Sequence, residues 1–343
     1  MIRNEHLDLA VAQGILTAEQ AERLRGLARE DVAGEIEADA RHDLDVINPD
    51  DERFRLIGGF NDVFVTIGIG LLVSGLFPLS RAFNFEPGFA VFCVAAAWGL
   101  SELFARKMRL ALPSIALALM LALGAAFGGA ELGHLISPGL APVASALAVV
   151  LGAVLHERRF GVPVNWAIGA VGLSFALVYI ASLMVDHAWY LLFAVLGLAI
   201  FAVALRIDAT DVTRETRRSD IAFWLHLVAA PMIVHGTIPL LVGAPEGMDG
   251  ARAVAVLGIY VLLGLVAIVI DRRALLVSGL LYAGVALGYL FSEKVETGMG
   301  SSLTLLALAV IILGLSAGWR TIRRALIPLL PLGALKHSIP PAH

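Results

Sequence analysis

Residues 87–130 read PGFAVFCVAAAWGLSELFA, then RKMR, then LALPSIALALMLALGAAFGGA: two apolar runs on either side of a short basic turn. An apolar run of about 20 residues is long enough to cross the hydrocarbon core of a bilayer as a helix. A short turn rich in Lys and Arg stays on the cytoplasmic side during insertion. Working outward from this hairpin gives ten such runs, at 57–79, 87–105, 110–130, 139–156, 163–184, 188–206, 221–242, 253–270, 274–292 and 301–319. Every second turn is basic: Arg106 to Arg109, Arg158–Arg159, Arg206 through Arg218, Arg272–Arg273, and Arg320 through Arg324. These hold fourteen Lys and Arg, whereas the opposite turns hold only Arg81, Arg252 and Lys294. The asymmetry predicts an all-α, polytopic membrane protein with ten transmembrane helices and both termini in the cytoplasm.

Composition agrees. At 59% hydrophobic residues and a mean hydropathy of +0.84, the chain is more apolar than a soluble globule, where about 45–50% is usual. The net charge of −4 hides a segregation, with acids concentrated near the N-terminus and bases in the cytoplasmic turns. Arginines spread along a membrane surface do not make the basic face that a nucleic-acid partner needs. They read as topology anchors facing lipid phosphates, so the bilayer is the expected partner. The single cysteine, Cys93, lies inside the second run and cannot pair within the chain. The first apolar stretch is too short and too interrupted, by Gln13 and Gly14, to be a cleavable signal peptide.

Three regions follow. Residues 1–55 read as a cytoplasmic helical hairpin with an acidic linker. Thr17 and Gln20 have the spacing of a capping box, and Glu30 to Glu52 holds ten acids against one arginine. Residues 56–319 form the ten-helix bundle. Residues 320–343 mix Arg with apolar residues and prolines, and read as a tail on the inner membrane surface. The basic turns recur every 51–59 residues, as a ladder of helical hairpins would. Glycines at close spacing, such as Gly124 with Gly128 and Gly169 with Gly172, are expected where helix backbones approach.

Chemistry is sparse. Asp62, Glu102, His226 and His235 fall inside the spans, where ionisable groups are costly and mark function by default. At 1.5 Å per residue, Asp62 lies about 8 Å and Glu102 about 5 Å from the cytoplasmic end, and His226 enters to a similar depth. A cluster of Asp62, Glu102 and His226 is therefore expected, with salt bridges from the two carboxylates to the Arg turns as the alternative. The seventh span also holds Pro231, which removes a backbone donor in mid-helix, and an interrupted helix points to a transporter site. His226 and His235 fall on opposite faces of an ideal helix, so a kink at Pro231 is needed to bring them together. On the outer side Glu131, His134, Asp186 and His187 are weak metal candidates. No GxSxG, HExxH, P-loop or paired-cysteine motif occurs, so no cofactor and no enzyme class is indicated.

The stretch Asp51-Glu-Arg-Phe-Arg-Leu-Ile-Gly-Gly-Phe-Asn-Asp-Val-Phe-Val-Thr-Ile-Gly68 resembles the entry to the first span in a group of bacterial multi-span inner-membrane proteins of unknown function. The segments Asp271–Leu280, Trp319–Leu326 and the N-terminal Gly14–Arg23 are similar to the same group, which has a short helical hairpin ahead of its spans. The resemblance implies a bacterial inner membrane and carries no activity or residue role. Two functions are compatible with this sequence: transport or permeation of a small molecule or lipid, built around the seventh span, and a non-catalytic sensor or scaffold. The latter would recruit a cytoplasmic protein partner through the hairpin and its acidic strip.

Overall fold

The computed structural model describes residues 60–331 apart from 84, 186–188, 213, 215, 243–248 and 295–298, together with 13, 17, 19, 20, 333, 339 and 340. The chain divides into two units, Met1–Asp51 and Glu52–His343. In the first, the capping box forms. Gln20 N–H donates to Thr17 Oγ1 at 3.2 Å, and Thr17 N–H donates to Gln20 Oε1 at 2.9 Å.

The second unit is helical, with no strand among the described residues. Its helices are α1 (Phe60–Ala82), α2 (Glu86–Ser101, running on as a π-helix over Glu102–Lys107), α3 (Ala111–Ile136), α4 (Ala141–Phe160) and α5 (Val164–Ser182). Then come α6 (Trp189–Asp208), α7 (Arg217–Val242), α8 (Gly250–Ile270), α9 (Ala274–Lys294) and α10 (Gly300–Leu326). Among the described residues nine helices are long and apolar enough to cross a membrane, and within α9 the stretch Tyr282–Phe291 is a shorter apolar piece. This is the make-up of a multi-pass helical membrane protein.

Local chemistry sets the ends. Pro87 opens α2, where a missing N–H costs nothing. Gly161, at φ +68°, closes α4 by donating its N–H to Glu157 O at 2.9 Å. Asp249 caps α8 by accepting from Arg252 N–H at 2.8 Å. Pro231 does not end α7, which runs helically through it.

The core is a chain of small apolar clusters. Ile69, Phe89, Cys93 and Leu121 join α1, α2 and α3, and Ala118, Ala153 and Ile168 join α3, α4 and α5. Val234, Val256 and Ala286 join α7, α8 and α9. Half of α7's most apolar window is buried, the largest share of any spanning helix, against 6% for α1. Helix α7 is therefore the interior helix of the bundle and α1 a peripheral one.

Candidate functional site

The turns between α2 and α3, α4 and α5, α6 and α7, and α8 and α9 meet at one end of the bundle, which carries the basic turns. A cavity of about 270 Å³ lies there. Its wall takes Arg109, Leu110, Ala111 and Ser114 from the first turn pair, Phe160 to Pro163 from the second, and Ser219, Asp220, Phe223 and Trp224 from α7. Arg214 and Arg272 complete it.

Two features bring positive charge to this wall, which also carries the carboxylate Asp220. Helices α3, α5 and α7 all begin on its wall, and neither α3 nor α5 has a side-chain cap at its N-terminus. A helix start carries partial positive charge and unpaired N–H groups. The second source is the three arginines. Arg109 is exposed, makes no ion pair among the described residues, and stands at φ +54°. Arg214 stands at φ +57°. A left-handed backbone on a residue with a Cβ costs about 1–2 kcal/mol. The described residues hold three such non-glycine positions: Arg109, Arg214 and Asp271. Two line the cavity, and the third binds Arg214. Strain of this kind persists where surrounding structure imposes it.

Behind the wall runs a buried polar network. Arg272, 2% exposed, donates to both oxygens of Asp208, from Nε to Oδ2 at 3.0 Å and from Nη2 to Oδ1. Its Nη2 also reaches Ser219 O and Oγ at 3.2 Å. Asp208 Oδ2 holds His226 Nε2 at 2.9 Å. Arg214 pairs with Asp271 Oδ2 at 3.1 Å and donates to the carbonyls of Ile270 and Asp271. Asp271 accepts from Trp319 Nε1 at 2.7 Å and lies 3.8 Å from Arg323. Thus the ends of α6, α8 and α10 and the start of α7 are bound by charge as well as by apolar contact. The reading of these arginines as anchors facing lipid phosphates fails for Arg272 and Arg323, which are buried at 2% and 3% exposure. The carboxylates Asp208 and Asp271 sit within reach, and buried cations take protein partners where they exist.

Of the three residues of the expected cluster, Glu102 and His226 are each bonded to other residues. Among the described residues no hydrogen bond joins Asp62, Glu102 and His226. Glu102 begins the π-turn of α2 and pairs with Arg106 at 3.1 Å and Arg159 at 2.7 Å. His226 takes Asp208, the carboxylate on its nearest neighbour helix, and leaves Nδ1 buried without a partner. Asp62 is buried in the first turn of α1. His235 lies apart from His226, its Nδ1 bonded to the Tyr282 hydroxyl. No group of three or more metal-ligating side chains occurs among the described residues. Glu131 and His134 lie in α3, and Asp186 and His187 lie outside the described residues.

One polar group escaped the sequence reading. His156, Ser101 and Asn165 are all buried and connected, with His156 Nε2 to Ser101 Oγ at 2.9 Å and Asn165 Nδ2 to His156 Nδ1 at 2.9 Å. Asn165 Nδ2 also donates to Val162 O at 3.0 Å, which fixes the orientation of the amide. His156 Nδ1 is then an acceptor, and its proton is on Nε2, donated to Ser101. An imidazole in this tautomer cannot take the serine proton, so the trio pins α2, α4 and α5 together and does not activate a nucleophile. The only sequence signal was two polar residues, Ser101 and His156, next to the basic ends of their helices.

No family model, curated protein or solved structure matches the chain.

Proposed function

We propose that this protein is a ten-span protein of a bacterial inner membrane, with both termini in the cytoplasm, that transports or permeates a small molecule or lipid. The observation that carries the reading is the cavity between the α2–α3, α4–α5 and α6–α7 turns. It lies at the end that the positive-inside rule assigns to the cytoplasm, and ligand sites in helical bundles form between helices in this way. Its wall combines apolar and aromatic side chains, Ile115, Phe160 and Trp224, with polar ones, Arg109, Ser114 and Ser219. Helix α7, the interior helix, contributes to both sets. The resemblance to bacterial inner-membrane proteins supports the location.

The test is flux. Vesicles containing the protein should move a fluorescent phospholipid between leaflets, or a labelled impermeant organic anion across the bilayer, faster than empty vesicles. Ala111→Trp, which fills the cavity, should return the rate to that of empty vesicles. Equal rates with and without protein would overturn the reading.

A further inference from the structure

We infer that the cavity binds a phosphate-bearing amphiphile, an inference that rests on the cavity being the ligand site proposed above. The cations come from three separate turns. Arg109 stands on the α2–α3 turn, Arg214 on the α6–α7 turn and Arg272 on the α8–α9 turn. A tetrahedral oxyanion offers oxygens to donors arriving from several sides, whereas a carboxylate offers two in one plane.

Two of the three arginines are partly committed, and the remainder of their bonding capacity is informative. Arg272 spends Nε and Nη2 on Asp208 and Ser219, and its Nη1 has no hydrogen-bond partner among the described residues. The residue is 2% exposed, and the space it lines is this cavity. Arg109 has no carboxylate of its own among the described residues and is held in a backbone conformation that glycine would adopt more easily. Arg214 is held by Asp271. The uncapped start of α3 adds N–H donors of the kind that bind phosphate, whereas in α5 the N–H groups of Asn165 and Trp166 are spent on Val162 O and Pro163 O. Asp220, the carboxylate on the wall, is itself engaged in an interaction. On the same wall, Trp224, Phe223 and Ile115 offer a surface for a hydrocarbon or glycerol portion. The ligand therefore combines an anionic phosphate with an apolar body, which describes both a lipid headgroup and a soluble phosphate ester.

The full-length protein in phosphatidylcholine nanodiscs, titrated calorimetrically with hexyl phosphate, tests this. Binding of hexyl phosphate, with none of hexanol, is the expected result. Arg109→Gly should weaken binding about tenfold or more, since a charged hydrogen bond is lost. It should keep or raise thermal stability, because glycine relieves the positive φ. Arg109→Glu should abolish binding. If phosphatidic acid in the nanodisc competes with hexyl phosphate, the source is the bilayer; if it does not, the source is a soluble phosphate ester. Absence of hexyl phosphate binding, equal binding of hexanol, or unchanged affinity in both Arg109 variants overturns the inference. Binding without flux would overturn the transport reading alone, and flux without binding this one alone.

Discussion

Asp271 shows how one side chain can outweigh a backbone preference. It stands at the C-terminus of α8 with φ +57°, where glycine or asparagine is usual. Its carboxylate holds Arg214, Trp319 and, at longer range, Arg323. Asp271→Gly eases the backbone but takes this anion from the partly buried Arg214 and the buried Arg323. A loss of about 3–5 kcal/mol is expected when one partner of a buried pair is removed. Asp271→Asn keeps the conformation and loses the charge, so it should also melt at a lower temperature in detergent. If the glycine variant melts with the wild type, the network contributes nothing to stability. These pairings were not legible in the sequence. A short turn rich in arginine obeys the positive-inside rule whether its side chains face lipid or fold inward. Asp208 and Asp271 lie just beyond the ends of their apolar runs, where a carboxylate looks like part of a solvated turn.

At the level of helices, hydropathy located most span ends to within about four residues, because the bilayer sets the apolar length directly, but the helices ending at Ile136 and Leu326 run on past the expected ends at 130 and 319. It did not locate the π-turn over Glu102–Lys107 or the passage of α7 through Pro231, which depend on local backbone bonding and on neighbouring helices. The glycine pattern was only partly informative. Gly124 approaches Cys93 and the α2 backbone, but Gly68 and Gly70 face open space. The tightest glycine approach between two helices joins α6 and α7, where a Cβ on Gly236 would fall 2.4 Å from Ala194 N and 2.7 Å from its Cα. Gly236→Ala should therefore destabilise by about 1–3 kcal/mol through overpacking. Gly68→Ala, with nothing within 4 Å, should stay within about 0.5 kcal/mol of wild type. Thermal denaturation of the two variants side by side checks this. A stable Gly236→Ala would mean that the two helices separate easily.

For the whole molecule the alternation of charged turns predicts the direction of every span. Reporter fusions after residues 85, 136, 187, 247 and 297 should all report the periplasm, and one cytoplasmic signal among them would break the ten-span topology. What hydropathy could not convey is how the ends of distant spans are joined. Asp271 leaves the eighth helix, but Trp319 and Arg323, which bind it, belong to the tenth. Arg214, on the cavity wall, is fixed by the same carboxylate. Synthesis must therefore reach Arg323 before this network is complete. Until then the nascent protein holds Asp271 through Arg214 alone of these three partners. Completion of the last helix is thus what closes the joint, and a chain arrested short of it carries a carboxylate with one partner in place of three.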